Sequence, residues 1–363
     1  MSPRKIILKL HLYLGLTVGL LFALIGVTGS LLVFSEEFDR ALNPSILSVP
    51  VGQSKADYGA VESAVIASFP DEKIYRIRLP RDSEDVYEFW MNGSEGLRVY
   101  VDPYTGRVLG SRDYSETFRG RLFMLHTTIL GGEWGKSIIG IGAFVFLAIG
   151  ISGLVLWWRG LRNVKRGLSI NVRSGWKRAN FDVHNAVGYF AFFLLSINIV
   201  SGIYLIFNAT FEKTVNRLTV TEDRPPAPLS TDVAGRAPLP AAEIVERVGR
   251  VFPDAEATWF YPPASPQAAY MVRKKFPAEH HPNGKSFVYL DQYTGEVLRT
   301  ENATEVGIAT KFVNDLYPMH IGRVGGLPHR LLQVAVGITP TLLLTTGFLI
   351  WRNRSRRSQK NRT

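Results

Sequence analysis

The chain has 363 residues, 46% of them apolar, a net charge of +11 and no cysteine. The missing cysteines exclude disulfide-stapled domains, thiolate metal sites and iron–sulfur clusters. The basic balance is no nucleic-acid footprint either: residues 1–9, 159–183 and 352–363 hold 16 Lys/Arg and one acid, Asp182, so they sum to 16 − 1 = +15 and leave −4 for the remainder.

Four apolar runs separate those basic stretches: Leu12–Phe34, Ser137–Trp158, Asn185–Phe207 and Leu331–Trp351. Each has the roughly 20 residues that a helix needs to cross a hydrocarbon core of about 30 Å. The first exceeds the roughly 7–15-residue apolar core of a secretory signal and lacks an A-x-A-like cleavage site, so it is read as retained. Short basic segments mark the cytoplasmic side. Both termini and the middle loop are therefore expected inside a bacterial inner membrane, with residues 35–136 and 208–330 outside. The fold class expected is a four-span membrane α-helical protein with outer α+β domains. The divisions are a first transmembrane helix (1–36), an outer domain (37–118), a second helix (119–160), a basic loop (161–183), a third helix (184–208), a second outer domain (209–310), a fourth helix (311–352) and a basic tail (353–363). Trp134, Trp157, Trp158 and Trp351 fall near span ends and read as anchors in membrane lipid.

The first outer segment shows helical periodicity over 57–69 and then strand-like runs, K-I-Y-R-I-R-L, D-V-Y-E-F-W-M and L-R-V-Y-V-D. The last closes on D-P-Y-T-G, where Asp caps a turn and Gly supplies positive φ. The second outer segment repeats this order after a Pro-rich linker, with a helix near 240–252. V-Y-V-D-P-Y-T-G-R-V-L at 99–109 returns as V-Y-L-D-Q-Y-T-G-E-V-L at 288–298, an offset of 189. The spans match too. His11, Gly15, Gly29 and Phe34 fall on His184, Gly188, Gly202 and Phe207 at an offset of 173, and His126 falls on His320 at 194. Two tandem copies of helix, outer domain, helix are expected.

Copies repeated in one orientation are related by an axis along the membrane normal. Such an axis sets His11 facing His184 at the cytoplasmic level, and His126 facing His320 at the outer level. Histidines at span ends are commonly interfacial residues, but interfacial preference gives no reason for matched register. Two facing imidazoles with no anionic co-ligand suit the axial positions of a haem iron, whereas zinc would want further donors. Glycines at 15, 19, 26, 29, 188 and 202 leave room for a flat macrocycle; small residues also drive plain helix packing. His329 lacks a partner in the first copy and is kept as a substitute ligand for His320 or a substrate contact. From His126 to Trp158 a single helix would run about 48 Å, so Gly131, Gly132 and Gly135 are expected to break it.

The Y-x-D-x-Y-T-G hairpins resemble PepSY domains, and the H-x-x-x-G and H-x(4)-G-G helices resemble the PepSY-associated transmembrane family, which includes FoxB-like inner-membrane ferric-siderophore reductases. The resemblance covers nearly the whole chain. It implies two bis-histidine b-type haems in the membrane, periplasmic PepSY domains and a haem-dependent oxidoreductase that reduces Fe(III) siderophores for iron uptake. No strand followed by G-x-G-x-x-G is present, so the electron donor is expected to be another protein or a quinol. Candidate docking residues are Arg76, Arg78, Arg81, Trp90, Trp259, Tyr261, His280 and His281, the two histidines being expected in solvent. Two rivals stand beside this reading: a haem-free PepSY regulator anchored by its helices to act on an envelope partner, and a metal-ion permease with a histidine relay.

Overall fold

The computed structural model describes residues 2–92, 96–158, 160, 164–231 and 236–360, without the side chains of 166 and 356–360. Residues 161–163 of the basic loop and 361–363 of the tail thus lie outside the described residues. In chain order the elements are helix α1 (Pro3–Leu32), short helices α2 (Ser35–Leu42) and α3 (Pro44–Leu47), then α4 (Tyr58–Ser68). Strands β1 (Ile74–Arg78), β2 (Tyr87–Met91), β3 (Leu97–Val101) and β4 (Val108–Asp113) follow, then α5 (Phe118–Thr128), α6 (Gly132–Trp157), α7 (Val164–Leu168), α8 (Trp176–Ile206), α9 (Asn208–Thr219) and α10 (Ala241–Gly249). Strands β5 (Glu256–Tyr261), β6 (Tyr270–Lys275), β7 (Ser286–Leu290) and β8 (Val297–Glu301) precede α11 (Ile308–His320) and α12 (Gly326–Lys360).

The chain forms two compact units, one of Met1–Phe34, Leu122–Glu212 and Met319–Thr363, the other of Ser35–Arg121 and Lys213–Pro318. In the first, α1, α6, α8 and α12 are long and apolar enough to cross a membrane. They close into a ring, α1 packing on α6 and α12, and α8 on the same two. Glycine sets the closest approach: a Cβ on Gly26 would run into the Gly337 carbonyl oxygen, and Ser30 Oγ donates across to Val334 O at 3.0 Å. Small residues allow helix backbones to meet in this way within lipid. Gly26→Val is accordingly expected to destabilise the helical unit by about 1–3 kcal/mol, the usual cost of overpacking, visible as a lower unfolding temperature in detergent.

The break expected between His126 and Trp158 falls between α5 and α6. It is built less from glycine than the sequence suggested: Ile129 and Leu130 hold φ of 45° and 60°, followed by Gly132 at 54°. Left-handed backbone costs a side-chain-bearing residue roughly 1–2 kcal/mol, so two such residues in a row are held by their surroundings. The corresponding interval after α11 uses Gly322 and Gly326, at φ of 76° and 62°.

In the second unit all eight strands form one antiparallel sheet, ordered β4-β3-β2-β1-β5-β6-β7-β8. The two outer segments meet where β1 pairs with β5 at Ile77↔Phe260 and Arg78↔Trp259. Alternation along each strand sorts side chains to two faces. Ile77, Phe89, Val99, Phe260, Val272 and Val288 pack with Val61 and Val65 of α4 and Ile244 and Val248 of α10 as the core.

The opposite face is charged and ordered. Glu88 is 6% exposed and accepts from Arg78 Nε at 2.9 Å and Arg98 Nη1 at 2.8 Å; Arg78 also meets Asp85 at 3.0 Å. Burial alone would raise the Glu88 carboxyl, but Arg78 and Arg98 overcome it and hold it at about 2. A carboxylate depressed below its ordinary 4.5 contributes stability that is complete above that pH and is lost as pH falls towards 2. Acid titration followed by tryptophan fluorescence should therefore show the sheet unit weakening within that window. Glu88→Gln, which leaves two buried guanidinium groups short of a counter-charge, is expected to cost about 3–5 kcal/mol at neutral pH and to flatten the acid dependence.

Candidate functional site: two imidazole pairs

The helical unit brings the four matched histidines together in two pairs. His11 of α1 faces His184 of α8 with ring centroids 6.5 Å apart and planes at 88°. His126, at the end of α5, faces His320, at the end of α11, at 6.2 Å and 58°. Among the described residues none of the four Nε2 atoms has a hydrogen-bond partner, while every Nδ1 has one.

The Nδ1 partners follow one pattern. His11 meets Ser152 Oγ at 2.9 Å, His184 meets Thr346 Oγ1 at 2.9 Å, His126 meets Thr28 Oγ1 at 3.2 Å and His320 meets Ser201 Oγ at 2.9 Å. Each hydroxyl spends its hydrogen on carbonyls three or four residues earlier in its own helix: Thr28 on Leu24 and Ile25, Ser152 on Ile149, Ser201 on Ile197 and Asn198, Thr346 on Leu342 and Leu343. It can then only accept from the ring. Nδ1 of His11 and of His126 also lies 3.2 and 3.0 Å from the carbonyl oxygens of Ile149 and Ile25, which cannot donate. The proton is thereby placed on Nδ1 and the free lone pair on Nε2, the tautomer a metal ligand needs.

Behind each hydroxyl stands a glycine. A Cβ on Gly29 would come 2.9 Å from Cε1 of His126, on Gly153 3.0 Å from His11, on Gly347 3.3 Å from His184 and on Gly202 3.5 Å from His320. At Gly29, Gly153 and Gly347 a Cβ would crowd the ring, whereas at Gly202 it would only touch it; each ring rests on a hydroxyl-glycine step. The steps keep the histidines' own offsets: 201 − 28 = 173 and 346 − 152 = 194. The sequence carried this signal as V-T-G, I-S-G, V-S-G and T-T-G at 27–29, 151–153, 200–202 and 345–347, and the histidine pattern alone did not reveal it.

The pairs fit a haem iron. Two axial metal–nitrogen bonds of about 2 Å plus the ring radii put imidazole centroids about 6 Å apart, the spacing seen twice. A cavity of about 1030 Å³ surrounds His11 and His184, lined by Gly15, Gly19, Gly150, Gly153 and Gly188 and rimmed by Arg4, Lys5, Lys9 and Arg354. Pockets for organic ligands span about 300–1,000 Å³. A Cβ on Gly15 would meet nothing within 4 Å, so that space belongs to the cavity. Gly26, by contrast, serves helix packing. Among the described residues no group of three or more His, Asp or Glu could hold a bare metal ion.

The profile of the family described as PepSY-associated TM region matches residues 8–354. The chain belongs to this family. No match was found among curated proteins. As a PepSY-associated transmembrane protein it places the remaining candidates as follows. His329 sits in the first turn of α12, half-buried, and pairs with no imidazole among the described residues. Arg76, Trp90 and Trp259 cluster on the charged sheet face. His280 is half exposed and meets Asp315 at 3.1 Å. His281, expected in solvent, is instead 7% exposed and stacked on Tyr317 at 5.0 Å. Burial and then Arg273 push it down to about 2, so it is a neutral structural ring. Trp157, at the end of α6, lies 4.5 Å from Tyr189 and donates to Gly167 O.

Proposed function

We propose that the protein is a di-haem b electron-transfer protein of the bacterial inner membrane that reduces ferric siderophores, Fe(III) to Fe(II), on the periplasmic side. What supports this most is the pair of imidazole pairs, each at axial-ligand spacing and each ring fixed as the Nδ1–H tautomer. A bound haem would supply one-electron exchange. His11 and His184 would hold one such group, His126 and His320 the other, and the hydroxyl-glycine steps would keep each Nε2 aimed at its partner.

The matched offsets support reading the chain as two tandem copies, and the basic stretches support cytoplasmic termini with periplasmic PepSY domains. His11 and Gly29 are 18 residues apart on one helix, so the two histidine levels differ by about 27 Å along it, most of a bilayer core. Apolar side chains lie in the interval, among them Phe22 stacked on Phe146 at 4.4 Å. On the substrate, one electron weakens the hard-oxygen chelation of iron, so release follows. The donor would be a protein or a quinol.

A reduced-minus-oxidised absorbance spectrum of the purified protein, with haem counted per chain, tests this first. About two b-type haems with ferric-siderophore reduction by the pre-reduced protein is the expected result. A colourless protein expressed with ample haem would overturn it and leave the haem-free regulator.

A further inference from the structure

The two halves of the chain part company beside His320. Asn198 of α8 and Gln333 of α12 bond each other, Asn198 Nδ2 donating to Gln333 Oε1 at 2.9 Å. At the histidines' own offsets, 198 − 173 = 25 and 333 − 194 = 139, the first half has Ile25 and Ile139 instead. Gln333 is 8% exposed, and its Nε2 donates on to the carbonyl oxygen of Met319 at 2.6 Å, the residue before His320. An amide pair between membrane helices ordinarily serves as glue, but glue between α8 and α12 gives no reason to reach the end of α11.

The end of α11 supplies the reason. Helix α5 continues past His126 to Thr128, and the Leu125 carbonyl accepts from the Ile129 N–H at 3.1 Å. Helix α11 stops at His320 itself, and the Met319 carbonyl receives the Gly322 N–H at a longer 3.3 Å. Carbonyls at a helix end are left for other groups to satisfy, and the Gln333 amide does so here. Gly322, at φ of 76°, packs its turn on the same side chain: a Cβ there would come 3.0 Å from Gln333 Cγ. The bonds run in a closed circuit, since Ser201 Oγ, which accepts from His320 Nδ1, donates to Asn198 O at 3.1 Å. His320 is thus tied to Asn198 twice, through its ring by way of Ser201 and through the preceding peptide by way of Gln333.

We propose that Gln333 is the positioning residue of His320: its amide, oriented by Asn198, caps α11 at Met319 and keeps the imidazole facing His126. This rests on the reading of the pairs as haem ligands and adds a difference between the two partners of one site. His126 is held by the continuing turn of its own helix. His320 sits at a terminus, where helices fray, and is held by a side chain from α12. Of the two rings, His320 is the one that lets go when its support is removed.

Carbon monoxide binding to the reduced full-length protein reads this, because the gas enters only where an axial ligand has left. In Gln333→Met, close in shape but without a donor, one of the two haems is expected to bind it at least tenfold faster than in the wild type. The gain should vanish in His126→Ala chains that carry one haem. Asn198→Ile combined with Gln333→Ile, the residues of the first half, separates positioning from glue. No buried amide is then left unpaired, so melting should return towards the wild type while carbon monoxide still binds at least tenfold faster. Loss of one haem from a double variant that melts as the wild type does would support the proposal equally. Wild-type binding rates in folded Gln333→Met and in the double variant, or a gain that persists in one-haem His126→Ala chains, overturn it. Failure of the functional reading looks different: the wild-type protein, expressed with ample haem, would itself be colourless.

Discussion

Replacing His126 by alanine is expected to cut the haem carried per chain from about two to about one, and His11→Ala to do the same at the other site. His126 and His320 face each other across 6.2 Å, and no other imidazole is paired with either among the described residues. With His126 gone, His320 alone would have to hold the group, with half of the protein ligands that the pair offers. The two single variants also separate the sites by spectroscopy. The first pair has ring planes near perpendicular, at 88°, and the second is at 58°. Axial imidazole orientation splits the iron d orbitals differently, so the ferric low-spin resonance should be more anisotropic for the site that survives in His126→Ala than for the site that survives in His11→Ala. A single haem resonance lost in both variants would mean that one haem, not two, is held.

Gly15→Leu is the second large effect. A Cβ there meets no atom within 4 Å, so the apoprotein should fold and melt as the wild type does. The added side chain nonetheless projects into the cavity beside His11 and should exclude a macrocycle, lowering haem content to about one. Gly29→Leu contrasts with it, because there the Cβ strikes the His126 ring itself. Equal haem content in Gly15→Leu and the wild type would remove the cavity from the cofactor's path.

Much of this is legible in the sequence. The four spans follow from apolar length, and the pairing of His11 with His184 and of His126 with His320 from register alone. The sheet hairpins came from D-P-Y-T-G and D-Q-Y-T-G. What stayed hidden depends on contacts between distant positions. Thr28 and Ser201 look like ordinary small residues of a membrane helix, and their role exists only because histidines 98 and 119 positions away are brought beside them. Which sheet edges join could not be read either, since β1 and β5 each present strand patterns that would suit any antiparallel neighbour. A Pro- and Gly-rich loop reads as solvent-exposed, whereas His281 is buried there against the Tyr317 ring. Ile129 and Leu130 adopt a backbone their types disfavour, so local preference pointed to the glycines beside them.

Every histidine rests on a hydroxyl-glycine step from its own half of the sequence: His11 on Ser152 and Gly153, His126 on Thr28 and Gly29, His184 on Thr346 and Gly347, His320 on Ser201 and Gly202. Every imidazole pair, however, joins one half to the other. A chain severed near residue 165 would keep four seated rings and no completed pair until the fragments associate, and either fragment alone would complete both pairs only as a homodimer.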